Sequence, residues 1–224
     1  MSPPGENETS KERIYRELRR SIIMGHRRPG ERLTVQDLAD SHSSSVTPVR
    51  DALQMLAQEG LVTIKPRSGY FVTRVTLKGL RDMLELREIL ELAAVERAAG
   101  RITADEIGHL AQVHAGYAGD DDESYDRYTD ENQRFHYLIA QASGNCELAE
   151  TLGHLHDRLA RFMVLRRAGK VQEVSHGRII ETLRTHDVAA ARQAMLDELN
   201  KTRDAILERV MQEDGALWHI GAAK

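Results

Sequence analysis

Apolar positions in the first third of the chain recur at helical spacing and then give way to short β-rich runs. Ile14, Leu18, Ser21 and Ile22 mark one face of a helix from about Ser10 to Gly25, closed by Gly25 and Pro29-Gly30. A second helix is predicted from Thr34 to about Ser41. Thr34 serves as its N-cap, Asp37 lies in its first turn, and Val35, Leu38 and Ala39 face inward. The polar turn 41–45 leads into a third helix, from about Val46 to Glu59, which Gly60 stops. Ser45 or Thr47 can cap its free N–H groups, and Pro48 suits a first turn that needs no donor. Val49, Leu53, Leu56 and Ala57 form the core-facing stripe, which leaves Arg50 near the exposed N-terminal end.

Two strands, Leu61–Lys65 and Tyr70–Thr73, flank the turn Pro66-Arg67-Ser68-Gly69, a composition that predicts a hairpin. Three helices followed by a two-stranded wing make a winged helix-turn-helix, with the third helix as the element that enters a major groove. Arg50 then meets base edges. Arg67 sits at the wing tip beside Gly69, which is small enough for close backbone approach to DNA.

After a linker at 76–79 no useful alternating run occurs. Helices are predicted near 79–100, 103–116, 122–143, 146–168, 171–185 and 187–213. The fold class is therefore mostly α, an N-terminal winged helix-turn-helix followed by an all-α helical bundle. The boundaries expected are a disordered stretch at 1–9, a DNA-binding domain at 10–75, the linker at 76–79, the bundle at 80–213 and a tail at 214–224.

Charge sharpens this division. The net charge is only −4, yet residues 1–75 carry 12 Lys/Arg against 9 Asp/Glu, and the remainder carries 19 against 26. A balance of +3 on the head and −7 on the body suits a DNA module joined to a domain of different purpose. A single cysteine, Cys146, excludes an internal disulfide framework and is read as a passive thiol. No apolar run reaches the ~20 residues of a bilayer span, and Met1–Ser10 has no signal-peptide core. A cytoplasmic protein without a membrane partner is expected.

The helical body holds a second candidate site. Asn132 and His136 are four apart and share a helix face. His176 and Glu198 each lie eleven residues from position 187, so an antiparallel hairpin turning there brings them side by side. Two imidazoles, a carboxylate and an amide oxygen suit a divalent metal such as zinc or nickel. His154 and His156 are two apart and face different ways, whereas His109, His114, His186 and His219 have no partner at ligand spacing. A metal-dependent hydrolase or isomerase built on His136, His176 and Glu198 is the competing reading, although no further general base stands out beside them. A DNA-binding protein with a purely structural bundle is the third.

Several runs carry a family resemblance: Pro29-Gly30-Glu31-Arg32-Leu33, Leu38-Ala39, Thr47-Pro48-Val49-Arg50-Asp51-Ala52-Leu53, Glu59-Gly60-Leu61-Val62 and Pro66-Arg67-Ser68-Gly69-Tyr70-Phe71-Val72. Together they resemble the GntR family of bacterial transcription regulators. Leu86-Arg87, Leu90-Glu91, Phe135-His136, His176 and Ala194-Met195 are similar to its FadR branch, whose all-helical effector domain is called FCD. The resemblance spans about residues 10–210. It implies DNA contacts from Thr47, Arg50, Arg67 and Gly69, with Arg32 and Ser45 as backbone contacts. Three positions depart from the pattern: Ser43 replaces a turn glycine, and Val46 and Gln36 replace arginines. Fewer basic contacts weaken phosphate binding and alter base preference.

In the body, the resemblance implies a metal held by an aspartate and three histidines, with Asn132 at the aspartate position and Glu198 at the last histidine. It also implies that Arg87 lines the effector cavity and clamps a carboxylate, the preferred role, with Arg134 contributing; an i, i+4 pair of Arg87 with Glu91 is also compatible with the residues. The expected protein is a dimeric, ligand-responsive regulator, a repressor in the leading reading. It binds a pseudo-palindromic operator in double-stranded DNA and answers to a small carboxylate-bearing metabolite.

Overall fold

Thr9 opens the first helix, α1 (Ser10–Ile23), through a reciprocal capping box. Its hydroxyl accepts from the Glu12 amide, while the Glu12 carboxylate accepts from the Thr9 amide at 2.9 Å. The computed structural model describes residues 8–113, 121–166 and 169–212. The stretch expected to be disordered, 1–9, is thus too long: Thr9 is the cap and Glu8 pairs with Arg16. Residues 1–7 and the tail 214–224 lie outside the described residues.

Ile14, Leu18, Ile22 and Ile23 on α1 pack against α3 (Val46–Gln58), whose Val49, Ala52, Leu53 and Leu56 are buried. Between them stand β1 (Arg32–Leu33) and α2 (Val35–Ser41). The α2–α3 turn places Ser43 at φ +48°, the left-handed region where glycine is the easy residue. Thr34 and Ser45 occupy the N-cap positions of α2 and α3, but neither side chain makes a capping hydrogen bond. Gly60, at φ +75°, ends α3 by letting the Leu61 amide return to the Leu56 carbonyl at 3.0 Å.

The wing has three strands rather than two. β2 (Val62–Lys65) and β3 (Gly69–Val72) pair antiparallel, and β1 adds to the other side of β3 with Leu33 opposite Tyr70. A two-residue strand is too short to show an alternating pattern, so the sequence did not mark it.

Thr76 is the N-cap of α4 (Leu77–Ala99), accepting from the Gly79 amide at 3.0 Å. The expected linker 76–79 is therefore the first turn of a helix, anchored by fully buried Leu80. The chain divides into two compact units at this point, one through Val75 and the other from Thr76. In the second unit α4 is followed by α5 (Ala104–Val113), α6 (Asp122–Ala142), α7 (Cys146–Arg166), α8 (Gly169–Arg184) and α9 (Val188–Gln212). The expected helix end at 114–116 lies outside the described residues. α4 packs on α9, α6 and α7, while α8 and α9 form the hairpin. His186 turns it at φ +54°, and Asp187 caps α9 by accepting from the Ala190 amide at 2.9 Å. Val95, Phe135, Ile139, Ile179, Leu183 and Met195 fill the bundle core.

Candidate functional site

The inner stripe of α3 leaves Thr47, Arg50, Asp51 and Gln54 exposed on the opposite face. Arg32 on the sheet edge, Ser45 before α3 and Arg67 at the wing tip are exposed too, whereas Gly69 is half-buried. None of Arg32, Arg50 and Arg67 is tied up in an ion pair with a described residue, so each guanidinium is free to meet a phosphate or a base. Lys65 instead sits over the Phe71 ring, 4.7 Å from its centroid. The wing turn closes with the Ser68 amide on the Lys65 carbonyl at 3.0 Å, and it holds Arg67 at φ +61° and Gly69 at φ +102°. A Cβ on Gly69 would meet no protein atom within 4 Å. The glycine answers the backbone angle, and the space beside it is open to a ligand.

Five helices of the second unit converge on a buried polar cluster. Arg87 and Glu91 come from α4, Asn132 and His136 from α6, His156 from α7, His176 from α8, and Glu198 and Thr202 from α9; all are buried. Arg87 Nε donates to Glu91 Oε1 at 3.2 Å, and Nη2 lies 3.1 Å from His136 Nε2 and 3.6 Å from Glu198 Oε2. The i, i+4 pair of Arg87 with Glu91 is therefore formed. A guanidinium has donors only, so His136 Nε2 must present its lone pair and the ring proton sits on Nδ1. That nitrogen is 2.9 Å from Glu91 Oε1, a close contact that departs from the line of an aligned hydrogen bond.

His156 Nε2 and Glu91 Oε1 are hydrogen-bonded at 2.9 Å. Burial pushes the His156 imidazole down to about 4, outweighing the help it gains from Glu91. Burial works to raise the Glu91 carboxyl, but His136, His156 and Arg87 together hold it well below the usual carboxylate range. Thr202 Oγ1 donates to Glu198 Oε1 at 2.7 Å, and the His176 ring stacks on Phe135 with centroids 3.9 Å apart.

The hairpin brings His176 and Glu198 together as the count from position 187 implies. One donor atom from each of His136, His176 and Glu198 lies within 4.8 Å of the others, as do atoms of Glu91, His136 and His156. Asn132 is buried one turn before His136, and its Oδ1 has no hydrogen-bond partner. Arg134 is not brought to the cluster. It is exposed on α6 and lines an open groove with Tyr137, Glu150 and His154, because residues two apart on a helix face different ways.

Glu91 and His156 join the cluster in addition to the residues the sequence marks as ligands. In the sequence Glu91 stands out as the i, i+4 partner of Arg87 and within the Leu90-Glu91 match. His156 shares a helical face with Leu152 and Leu159, which are buried, and that spacing was the available signal. His154 points outward. His114 and His219 lie outside the described residues.

A winged helix-turn-helix joined in one chain to a helical unit with a polar heart defines a DNA-binding regulator with a sensing domain. A family model described as bacterial regulatory proteins, gntR family, matches residues 10–72, and a model of the FCD domain matches residues 82–201. The chain belongs to the GntR family and carries an FCD domain: it is a transcriptional regulator, not an enzyme. Regulators of this kind bind operator DNA and take effector ligands in the FCD domain, and the hydrolase reading is set aside.

The chain is 31% identical over 222 residues to an HTH-type transcriptional regulator in an unstable DNA locus of Streptomyces ambofaciens, across 96% of this chain and 92% of that one. It is 28% identical over 214 residues to the HTH-type transcriptional repressor RspR of Escherichia coli K12, across 92% of each. Among solved structures, Escherichia coli McbR/YncC superposes with a TM-score of 0.72 at 20% identity, across 91% of this chain and 99% of that one. At that identity the likeness speaks for the fold alone. No described helix is long and apolar enough to cross a membrane.

Proposed function

We propose that this regulator is a repressor that binds a pseudo-palindromic operator as a homodimer and releases it when a small carboxylate-bearing metabolite enters the buried cluster. RspR, similar along nearly its whole length, is named a repressor, and that supports the sign of regulation. The observation that carries the effector reading is the cluster itself: charged and polar groups from five helices meet in the apolar centre of the bundle. Such groups are costly to bury and are kept where they are used.

A divalent cation, zinc or nickel, belongs to this reading. The donor set fits it. His136 offers Nε2 with its proton directed to the opposite nitrogen and a carboxylate behind it, the arrangement that prepares a histidine for a metal. His176 and Glu198 stand within reach, and the Asn132 amide oxygen has no other partner. Formally the cluster holds two carboxylates against one guanidinium, a net charge of −1 that repels an anion. His136, His176 and Glu198 would hold the cation, which would supply positive charge toward a carboxylate. Arg87 adds a second anchor, since a guanidinium pairs with a carboxylate bidentately.

Metal analysis of the purified protein, followed by thermal melting with zinc or nickel and a panel of carboxylic acids, tests this. A ligand that binds only the folded state at 100 times its Kd stabilises by about 2.7 kcal/mol. Metal retention, a raised Tm and weaker retardation of the chain's own promoter fragment are expected. No metal and no shift with any acid would leave the bundle structural. Failure to retard the promoter at low salt would sink the DNA reading.

A further inference from the structure

We infer that Arg87 is a displaceable internal cation, whose guanidinium pairs with His136 Nε2 and Glu198 Oε2, atoms that a divalent metal held by His136, His176 and Glu198 would take. This rests on the metal reading above. An imidazole nitrogen has one lone pair, and at 3.1 Å the Arg87 guanidinium is already its partner. The same Nη2 faces Glu198 Oε2 at 3.6 Å, so one nitrogen links α4 to both α6 and α9. Arg87 is 1% exposed and among the largest fully buried side chains, so water does not screen it from a second cation.

Metal and guanidinium therefore exclude each other at this pair. When the metal enters, Arg87 gives up His136 and Glu198 while Glu91 still holds its Nε side at 3.2 Å. The freed Nη edge becomes a donor with no carboxylate of its own, which is the group an acidic effector recognises. Without metal the guanidinium is engaged with His136 and Glu198, and its Nη edge is not offered to an anion. Effector binding then depends on metal through Arg87 as well as through the metal's own charge.

Zinc affinity measured against a competing chelator, for the full chain and for Arg87→Gln, tests the displacement. Glutamine keeps a donor toward Glu91 and removes the rival charge. Zinc should bind Arg87→Gln at least tenfold more tightly than the unaltered protein, and Glu198→Gln should weaken zinc in both backgrounds. Equal or weaker binding by Arg87→Gln overturns the displacement and leaves the metal site standing. Absence of zinc binding by either protein overturns the metal reading and this inference with it.

A second measurement needs no variant. In the unaltered protein labelled with 15N-arginine, one equivalent of zinc should shift the Arg87 side-chain N–H signal, assigned through its own backbone. A signal that stays put while zinc binds overturns the displacement.

Discussion

Ser43 shows how much one residue can record about a backbone. It sits at φ +48°, and its amide reaches the Asp40 carbonyl at 3.2 Å in the turn between α2 and α3. A Cβ crowds the following carbonyl in that region. Ser43→Gly should therefore stabilise the chain by about 1 kcal/mol, read as a higher Tm, because the strain relieved exceeds the entropy that glycine adds to the unfolded chain. A lower Tm would mean that the serine is held there by a contact the turn geometry does not reveal.

Glu91 makes the complementary case in the core. It accepts from Arg87 and is hydrogen-bonded to His156, so Glu91→Gln leaves a buried guanidinium undercompensated. A loss of about 3 kcal/mol is expected, measured by the urea midpoint in the presence of a chelator. The pairing of His176 with Glu198 was legible because it needed only a turn position and equal arm lengths. The roles of Glu91 and His156 depend on how α4 and α7 are rotated against α6, and spacing within one helix does not determine that.

Among the elements, α3 and the hairpin were readable because the apolar stripe, the stop glycine and the turn chemistry agree within short stretches. β1 and the first turn of α4 were not. The first gains its hydrogen bonds only from β3, and the second hides behind Thr76, a residue equally at home in a linker. The wing and α3 also differ in what they offer DNA. Arg67 stands at the tip of a turn, the place for a phosphate contact, and Arg50 at the exposed N-terminal end of α3, the place for a base edge. Arg67→Ala should reduce the slope of log K against log salt by about 0.9 per protomer, roughly 1.8 for the proposed dimer, and weaken all sequences alike. Arg50→Ala should cost about 1–3 kcal/mol in each half-site of the operator and little on unrelated DNA. Anisotropy titrations across a salt series separate the two. Identical salt slopes for Arg67→Ala and the unaltered protein would remove the wing from the interface.

At the scale of the whole molecule, a weakly basic head carries the candidate DNA contacts and an acidic body carries the buried cluster, the two units dividing at Thr76. An effector acts on the head only through its different affinity for the DNA-bound and free arrangements, whatever their geometry. Thermodynamic linkage then fixes the size of the reverse effect. If the carboxylic acid that gives the largest thermal shift lowers operator affinity by some factor, operator DNA must lower the affinity for that acid by the same factor. Typical couplings of about 1–3 kcal/mol put that factor at roughly 5–150. Calorimetric titration of the metal-loaded protein with the acid, with and without saturating operator, measures one side; anisotropy with and without the acid measures the other. Equal factors above unity are expected. An acid that binds with the same affinity in both states would be an occupant of the bundle without being its signal, and the sensing role would pass to another ligand.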